Sequence, residues 1–472
     1  MKELKLRNGS RIAIIGGGPA GTFFAHFALK LARQKGLDVA VTIFDGKNFL
    51  QRGPPGCNMC AGVISETLLA RLVEEGIRLP EERVQRRIDG YYLQSRDFGL
   101  LLTHPQGKRG AISTVYRGSG PRFWPKTTDI SFDDFLLSYV KERGARVIEK
   151  VVGNITLPSD ASQPVRLLYG SPGSQTEFEA DLVVGAFGLN TAVLKKVTAL
   201  GFGYRPPRFL RTFQAELRLG ADHIQRHLGN NIYTFSLGLS RIRFAAFTPK
   251  REHITVSVIG RKDVNISDLR ELLAHPSVRP LFPPGEILSS QYCCCRPRIA
   301  ITPARKPFTD RFVIVGDASC SRYYKNGIES AFVTAQLAAE AAFNSGISES
   351  AFARDYFKKA KRTIIRDNFY GRLLFKVHDI ASQHRLLAKT YWLVARSDRA
   401  DDSTAQLAQQ ILWNMFTGNI PYRTIFFQAL DLRLQTRLTV TTLGLVLERI
   451  SSLLQAAART LMRRGETQEW KG

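Results

Sequence analysis

The stretch that decides the fold is RIAIIGGGPAGTFF, residues 11–24. The apolar residues at its start, 12–15, predict a short buried strand. Gly16, Gly18 and Gly21 then form the pattern G-x-G-x-x-G and lead into a segment with helical periodicity. Glycines let the backbone approach a pyrophosphate at the N-terminus of a helix, where free N–H groups and the helix dipole favour anions. The stretch therefore predicts a dinucleotide site.

The next segment supplies the acid that such a site needs. Pro19 and Ala20 lie inside the glycine turn, the predicted helix ends at Gly36, and the alternating run DVAVTIFD ends at Asp45. Asp45 follows the third glycine by 24 residues and is placed to accept hydrogen bonds from ribose hydroxyls. Strand, turn, helix, strand and acid in this order predict nucleotide binding.

A second motif lies far downstream in RFVIVGDASCSRYYKNGIESAFVTAQLAAEAA, residues 311–342. A strand runs into Gly316 and Asp317, and a helix begins near Gly327 and Ile328 after a loop. Between the two motifs, ADLVVGAFGLNTAV predicts another buried strand that ends in small residues.

These three segments, in this order, resemble the FAD-binding fold of the p-hydroxybenzoate hydroxylase and geranylgeranyl reductase superfamily over roughly residues 10–345. The resemblance implies FAD as the cofactor and Asp317 as the residue that binds the ribityl chain. It also implies that the helix beginning near Gly327 directs its N-terminus at the pyrimidine edge of the flavin, which stabilises the anion formed on reduction. Two departures are Phe187-Gly188, where the family has Asp-Gly, and Tyr323, Tyr324 and Lys325, where it has a proline.

The cysteine stretch GPPGCNMCAGVIS, residues 53–65, has several interpretations. CAGVIS resembles the Cys-Gly-Gly-x-x-Ser segment of geranylgeranyl reductases, which implies that Cys60 is the catalytic thiol facing the flavin or substrate and that Gly62 belongs to the cofactor loop. Ser65 is a sound helix N-cap by itself. A redox dithiol, a metal or cluster site completed by Cys293–Cys295, and inert packing stay open. We predict no metal, and Cys57 has no further role.

Composition sets the broad class. A chain of 472 residues with 44% hydrophobic residues predicts two or three globular domains. Its six cysteines show no secreted disulfide pattern, and the N-terminal residues lead directly into the first strand, so we expect a cytoplasmic protein. The net charge of +26 favours a polyanionic partner, either nucleic acid or an anionic membrane surface, unless the surface is simply basic. No nucleic-acid-binding motif accompanies it, so we do not expect nucleic acid.

The predicted fold class is α/β, with a Rossmann-like FAD-binding domain of the p-hydroxybenzoate hydroxylase type, an antiparallel-sheet substrate domain and a helical C-terminal region. The predicted boundaries are 8–100, 140–200 and 300–345 for the discontinuous FAD-binding domain, 101–139 and 201–299 for the substrate domain, and 346–472 for the helical region. The resemblance implies that Phe244, Phe247 and Pro249 of FAAFTPK line a lipid cavity, although the family's tryptophan is missing. A family arginine that reaches the flavin would fall near Asp129, where Arg117 or Arg122 substitutes for it.

The C-terminal region is basic and partly apolar. Within residues 421–464 the longest uncharged stretch, 438–447, is too short to span a bilayer. We expect an amphipathic helix on the inner face of the cell membrane, or else helices that pack on the FAD domain or on a dimer partner. The apolar face predicted to enter the lipid consists of Ile425, Phe426, Leu430, Leu438, Leu445 and Leu453.

The predicted function is FAD-dependent reduction of carbon–carbon double bonds in an isoprenoid or other lipid, by hydride transfer from N5 of the reduced flavin. A flavin-dependent monooxygenase or halogenase is the alternative, although the sequence lacks the halogenase motif W-x-W-x-x-P. A nucleic-acid-directed flavoprotein is a further alternative. The sequence has no second G-x-G-x-x-G, so it predicts no separate NAD(P)H domain. The expected electron donor is therefore either NAD(P)H that binds transiently or a ferredoxin-like protein.

Overall fold

The computed structural model describes residues 4–58, 60–124, 130–285, 287–288, 292–396 and 402–466, with side chains up to residue 459. The strands, in chain order, are β1 (Ser10–Ile15), β2 (Val39–Phe44), β3 (Val63–Ile64), β4 (Val84–Ile88), β5 (Gly90–Ser95), β6 (Gly99–Thr103), β7 (Ile112–Val115), β8 (Arg146–Ile148), β9 (Val152–Thr156), β10 (Val165–Ser171), β11 (Ser174–Ala180), β12 (Leu182–Gly185), β13 (Phe209–Arg211), β14 (Phe213–Arg218), β15 (Asn231–Ser236), β16 (Ile242–Pro249), β17 (His253–Gly260), β18 (Cys293–Cys295), β19 (Arg298–Ala300), β20 (Phe308–Thr309) and β21 (Phe312–Ile314).

The helices are α1 (Pro19–Lys35), α2 (Glu66–Glu74), α3 (Phe132–Lys141), α4 (Thr191–Ala199), α5 (Ala221–His227), α6 (Ile266–Ala274), α7 (Gly327–Asn344), α8 (Glu349–Ala351), α9 (Lys358–Ala360), α10 (Asp367–Gln383), α11 (Arg385–Ala395), α12 (Ser403–Thr417), α13 (Tyr422–Ala429) and α14 (Leu432–Glu466). Two π-helical turns, Phe352–Phe357 and Lys361–Ile365, connect α8, α9 and α10.

A mainly parallel sheet lies at the centre of the nucleotide-binding domain, in the order β20-β21-β12-β1-β2-β8. In its middle, Ile14 on β1 pairs with Val184 on β12 and with Ile43 on β2. All three side chains are fully buried, because both faces of a parallel sheet are covered. The structure therefore confirms the predicted Rossmann-like domain.

Helices cover one face of this sheet and a small antiparallel sheet covers the other. The rings of Phe23 and Phe27 on α1 each lie 5.1 Å edge-on from Phe332 on α7. The core of α3 belongs to the same cluster of buried residues, although the predicted boundaries assign this helix to the substrate domain. The apolar face of α3 is directed at α1, and that contact is invisible in a linear sequence.

The second sheet has the order β18-β14-β17-β16-β15-β5-β6. Its neighbouring strands are antiparallel except for β15 and β5, which are parallel. The predicted boundary at residue 100 is wrong for β5 and β6, since both strands pair in this sheet rather than in the nucleotide-binding domain. One face of the sheet packs through Phe213, Ala215 and Leu217 against α5 and α6. The opposite face is directed at the nucleotide-binding domain and at the C-terminal helices.

The C-terminal helices pack over the apolar part of that second face. Leu374 and Phe375 of α10, Trp413 and Phe416 of α12, and Tyr422 of α13 are buried in one cluster with residues of β5 and β16. The alternatives predicted from the sequence were packing on the FAD domain or on a dimer partner, whereas α10 to α13 pack mainly on the second sheet. Among the described residues, no helix is both long enough and apolar enough to cross a bilayer.

The residues predicted to enter the lipid do not form one exposed face. Ile425 is fully buried, Leu445 is buried, and Leu438 is half-buried against the same core. Leu430 and Leu453 are exposed. The prediction failed because the helices have two apolar faces, and spacing alone does not tell which face meets the protein.

Candidate functional site

The glycine turn after β1 is shaped by contacts that exclude any side chain. A Cβ at Gly21 would lie 1.9 Å from the carbonyl oxygen of Gly16, and Gly16 itself has φ 112°. Gly18 is the N-cap of α1 and Pro19 is the first helical residue, so the first-turn N–H groups are directed into the turn. This cradle, which a Cβ would fill, fits the pyrophosphate of a dinucleotide.

Asp45 closes the cradle at the end of β2. Its Oδ2 accepts a hydrogen bond from Gly17 N at 2.6 Å and its Oδ1 accepts one from Lys47 N at 2.8 Å. Burial raises the pKa of Asp45, and these two hydrogen bonds oppose that change. A carboxylate has about four acceptor sites, so two are left for ribose hydroxyls.

The second motif meets the first at the start of α7. Gly316 has φ 68°, and a Cβ there would lie 2.8 Å from the Cβ of Ala20. Its N–H donates to Thr334 Oγ1 at 2.9 Å. A Cβ at Gly327 would lie 3.9 Å from Asp317 Oδ1. The two glycine-containing turns and Asp317 therefore lie together.

The carboxyl group of Asp317, beside this contact, has a shifted pKa. Burial raises the pKa of Asp317, while a hydrogen bond from Ser321 and the charge of Arg117 lower it. Ile328 is buried in the domain core, so only its backbone can serve a cofactor. The N-cap of α7, Asn326, is in the left-handed region and makes no side-chain capping bond to the helix.

Arg117 is the arginine that reaches the cradle. A Cβ at Gly18 would lie 4.0 Å from its Nη2. The Arg117 side chain is buried and donates twice to the fully buried Asp133, once from Nη2 at 2.9 Å and once from Nε. Burial disfavours the charged guanidinium, but this ion pair raises the pKa of Arg117 above its ordinary value. Arg122 is exposed instead, and Asp129 lies outside the described residues.

Asp133 and Asn58 are site residues that sequence reasoning missed. Asn58 Nδ2 also donates to Asp133 Oδ2, and Lys47 Nζ donates to Asn58 Oδ1 at 3.1 Å. The acidic first turn of α3 was the available signal for Asp133, but it is equally typical of a helix start in solvent.

The two cysteines of C-x-x-C have different surroundings. Cys60 is half-buried against the core of the nucleotide-binding domain, and its Sγ accepts from Gly62 N at 3.4 Å. A Cβ at Gly62 would lie 1.9 Å from the Val115 carbonyl oxygen, so this position requires glycine. Burial raises the pKa of Cys295, and Cys57 is close enough to raise it further. Among the described residues, no three His, Cys, Asp or Glu side chains are arranged to hold a metal ion.

The helix after these cysteines is joined to α7. Ser65 caps α2 by accepting from Leu68 N at 3.2 Å, as predicted. Glu329, in the first turn of α7, accepts from Ser65 Oγ at 3.2 Å and from Thr67 Oγ1 at 3.1 Å. These bonds hold the cysteine segment beside the N-terminus of α7.

A polar group of residues lies on the second sheet where it faces the nucleotide-binding domain. The Lys250 side chain is 1% exposed, and its ammonium donates to Glu216 Oε1 at 3.1 Å and to Thr255 Oγ1. It also lies 4.1 Å from the ring centroid of Tyr116. Burial and the charge of Lys250 lower the pKa of His253 to about 4. Polar residues in or beside an antiparallel strand are typical of a solvent-facing side, so no sequence signal points to this group.

The three residues predicted to line a lipid cavity do not lie together. Phe244 faces Tyr324 at 5.9 Å and Phe375 at 6.2 Å between ring centroids. Phe247 is on the opposite face of the sheet and packs 4.6 Å from Phe235. Pro249, two residues further along β16, lies on the same face as Phe247. The prediction that Phe247 and Pro249 share a cavity with Phe244 is therefore wrong, because side chains alternate between the two faces of a strand.

The C-terminal region completes the surroundings of α7. Arg322 donates to the carbonyl oxygens of Gly418 and Ile420, and its guanidinium carbon lies 4.1 Å from the ring centroid of Tyr422. Asn326 Nδ2 donates to the Gly418 carbonyl at 3.3 Å. The loop between α12 and α13 therefore holds the N-terminus of α7 in place.

Lys325 lies within this arrangement. It is half-buried, and its Nζ is 5.3 Å from the ring centroid of Phe416. In the part of the chain that the structure describes, no hydrogen-bond acceptor or carboxylate pairs with it. Burial, together with the charge of Arg322, lowers the pKa of Lys325 to about 8. Burial also lowers the pKa of the neighbouring His378 to about 4, with Lys325 contributing.

Comparison with known proteins agrees with this geometry. No family model matches the chain. It is 24% identical over 371 residues to the geranylgeranyl diphosphate reductase of Synechocystis sp., a match that covers 74% of this chain and 80% of that protein. It is also 25% identical over 206 residues to the chloroplastic geranylgeranyl diphosphate reductase of Arabidopsis thaliana, which covers 41% of this chain and 37% of that protein.

Solved structures with the same fold include a geranylgeranyl bacteriochlorophyll reductase-like protein from Thermoplasma acidophilum, with a TM-score of 0.62, 15% identity and coverage of 90% of this chain and 100% of that chain. The flavin-dependent halogenase CmlS aligns with a TM-score of 0.58 and 19% identity over 86% of this chain and 72% of that chain. The predicted fold class and the resemblance to geranylgeranyl reductases are confirmed.

Proposed function

We propose that this protein is an FAD-dependent reductase that saturates carbon–carbon double bonds of an isoprenoid or other lipid. The observation that carries the proposal is the meeting of the two glycine-containing turns, with Gly316 against Ala20 and Arg117 beside Gly18. A site assembled in this way suits an elongated dinucleotide cofactor. The names of the curated relatives supply the reaction class and the isoprenoid substrate.

The residues that would hold FAD follow from this geometry and from the resemblance. The backbone around Gly18 and Ala20, with the Arg117 guanidinium, would bind the pyrophosphate, since both are positive and directed at one place. Asp45 would accept from ribose hydroxyls and Asp317 from the ribityl chain. The uncapped N-terminus of α7 would face the pyrimidine edge. Bound in its reduced form, FAD supplies a hydride to the substrate double bond.

A proton, from a side chain or from water, completes the reduction. We assign the role of proton donor to Lys325, which directly precedes the N-cap of α7 and whose ammonium lies 5.3 Å from the Phe416 ring with no charged partner among the described residues. An amine with a pKa of about 8 is mostly protonated at neutral pH and gives up its proton more readily than an ordinary lysine. Cys60, the residue implied by the family resemblance, is the alternative source, and its catalytic role stays a prediction.

An aromatic cluster at the loop before α7, the loop to which Lys325 belongs, would hold the substrate and exclude water. Phe244, Tyr324 and Phe375 form contacts between the second sheet, the loop before α7 and α10. An apolar lining of this kind suits a hydrocarbon chain and strengthens electrostatic effects at the reacting atoms. Phe244 would line the substrate site as predicted, while Phe247 and Pro249, on the other face of β16, would not.

A flavin-dependent monooxygenase or halogenase is the second candidate. It is favoured by the structural likeness to the halogenase CmlS. The two functions differ in what reoxidises the reduced cofactor. A reductase transfers its electrons to the substrate without oxygen, whereas a monooxygenase or halogenase requires oxygen.

The test is a single turnover of the FAD-loaded protein. The protein is reduced without oxygen and mixed with a geranylgeranyl-bearing lipid, and flavin absorbance and product mass are followed. The proposal expects flavin reoxidation without oxygen and a product with two added hydrogens for each double bond reduced. Reoxidation only after air is admitted, with an oxygenated or halogenated product, would establish the second candidate instead.

Two finer parts of the proposal concern partners. Electrons reach the flavin from NAD(P)H bound transiently or from a ferredoxin-like protein, and the net charge of +26 favours an acidic protein donor. The predicted contact with an anionic membrane is supported by that charge, but not by the residues first predicted to enter the lipid.

A further inference from the structure

Helix α14 changes its surroundings halfway along its length. Leu434 is 1% exposed and Leu445 is 8% exposed, and Thr442 forms a hydroxyl–hydroxyl hydrogen bond of 3.1 Å with Thr390 of α11. From Leu447 to Arg459 every side chain is exposed. The second half of the helix therefore leaves the surface of the protein.

The exposed residues of this helix include an ordered apolar row, here called the α14 seam. The row consists of Val440, Leu443, Leu447, Ile450 and Leu454, which are between 48% and 66% exposed. Their spacing alternates between three and four residues, an average of 3.5. That period keeps a row of apolar side chains facing one partner helix and is the pattern of positions a and d in a coiled coil.

A projecting helix of this kind is incomplete by itself. Isolated helices of this length are marginal in water, because most helical stability in proteins comes from packing an apolar face. In the part of the chain that the structure describes, the apolar side chains Leu447, Ile450 and Leu454 on the exposed half of α14 are not packed and are between 48% and 66% exposed.

Charge distinguishes a helical partner from a membrane. Gly444, Val446, Ser451 and Leu453, which flank the seam, are uncharged. A helix lying on an anionic membrane needs basic residues beside its apolar face to meet the lipid phosphates. Near the start of the seam, Arg437 is paired with Asp402, and Arg433, seven residues before Val440, is the exposed basic residue on that row, at the end away from the projecting half. The seam matches the uncharged core of a protein interface better than an interfacial helix.

We propose that the α14 seam pairs with the α14 seam of a second copy of this chain to form a two-fold symmetric dimer. An uncharged apolar row complements itself, as an isologous interface requires. Its packed half fixes the direction of the helix, and its projecting half is free to meet the partner. This inference does not depend on the proposed reaction.

Sedimentation equilibrium of the full FAD-loaded chain tests the proposal, with the double variant Leu447→Glu/Ile450→Glu. The matched control is Val377→Glu on α10, which replaces a side chain that is 65% exposed and lies outside the seam. We expect the wild type and the control to be dimers and the double variant to be a monomer that retains its flavin. A monomeric wild type, or a double variant that stays dimeric, would overturn the proposal.

A second measurement does not depend on the double variant folding. Leu447→Cys should form an intermolecular disulfide under mild oxidation, well above the level in the wild type and in Val377→Cys. Equal cross-linking of the three proteins would contradict the dimer. Vesicles of phosphatidylcholine and phosphatidylserine provide the remaining comparison. Vesicle binding by a monomeric wild type that the double variant abolishes would assign the seam to the membrane and overturn the proposal.

Discussion

The two ends of the candidate cofactor site are built in different ways. At the first end, the turn of residues 16–21 is constrained by its own backbone, since a Cβ at Gly21 would meet the carbonyl oxygen of Gly16. At the second end, the N-terminus of α7 is held by carbonyl groups of Gly418 and Ile420, about a hundred residues along the chain. The first end is a local structure, whereas the second depends on the C-terminal region being folded. The following predictions test this difference.

The largest effect is expected at the first end. Gly21→Val places its Cβ within 1.9 Å of the Gly16 oxygen, and the backbone there has no room to move. We expect destabilisation of about 5 kcal/mol or more, which leaves little soluble protein. Soluble yield and the midpoint of urea unfolding measure it.

Gly18→Val is the matched control for this variant. A Cβ at Gly18 would meet the Asn58 side-chain amide at 3.0 Å, and that group can shift. We expect Gly18→Val to fold but to lose bound flavin, because the side chain occupies space needed by the pyrophosphate. A Gly21→Val protein that folds as well as Gly18→Val would show that the turn is not constrained as described.

The next effect concerns the buried ion pair beside the first end. Asp133→Ala leaves the Arg117 guanidinium buried without its carboxylate, and removal of one partner of such a pair costs about 3–5 kcal/mol. Denaturant unfolding measures the loss. The double variant Arg117→Met/Asp133→Ala should recover part of this stability while still failing to bind flavin. No recovery in the double variant would contradict the assignment of the loss to an uncompensated charge.

A smaller effect on stability is expected from breaking the contact between α7 and the C-terminal region. Arg322→Met removes two hydrogen bonds from a charged group that is only half-buried, so each is expected to contribute about 1.5 kcal/mol, the lower end of the range for charged groups. Since the first end should be unaffected, we expect weakened flavin binding with only partial loss of stability. Titration of apoprotein with FAD and urea unfolding separate the two quantities. Unchanged FAD affinity would show that the second end of the site does not depend on the C-terminal region.

The smallest effect on the fold is expected from Lys325→Met. In the wild type, Lys325 has a pKa of about 8, so its proton is lost as the pH rises through that value, and reduction should slow above pH 8. We expect Lys325→Met to be folded and flavin-bound, with turnover reduced by about a hundredfold and without this alkaline decline. Pre-steady-state rates across the pH range measure it. If the variant kept the pH profile of the wild type, the proton donor would be Cys60 or water and not Lys325.

Stability should respond to the same group with the opposite sign. The unfolded chain holds the Lys325 proton up to its ordinary pKa of 10.5, whereas the folded protein releases it near 8. Between these values the unfolded state binds more protons, so the contribution of Lys325 to stability rises with pH. The stability of Lys325→Met should therefore increase less between pH 8 and 10.5 than that of the wild type.

The comparison of the two ends also explains what could be predicted from sequence. Gly16, Gly18, Gly21 and Asp45 lie in one strand–turn–helix–strand unit, so their spacing carries the whole signal. The contact of Arg322 with Gly418 carries none, because nothing in either segment requires the other. Local pattern therefore predicts the first end of the site, while the residues that support the second end appear only in the folded chain.

Two residues on the second sheet illustrate a different limit. Lys250 directly follows β16 and Glu216 lies on β14, and charged residues at such places are typical of a solvent-facing side, yet the Lys250 side chain is 1% exposed because it packs against Glu216, Thr255 and the ring of Tyr116. Phe247 belongs to an aromatic segment that resembles a cavity lining, but the period of two places it opposite Phe244. In both cases the local pattern does not reveal which part of the protein packs on each face of the sheet.

The most direct test of the account is the flavin that the wild-type chain retains. The purified protein is incubated with FAD and FMN together, freed of unbound flavin and denatured, and the released flavin is identified and quantified. Because the glycine turn after β1 is assigned to the pyrophosphate, which FMN lacks, we predict close to one FAD per chain and no FMN. Retention of FMN, or of no flavin, would contradict the assignment of both ends of the site to one dinucleotide cofactor.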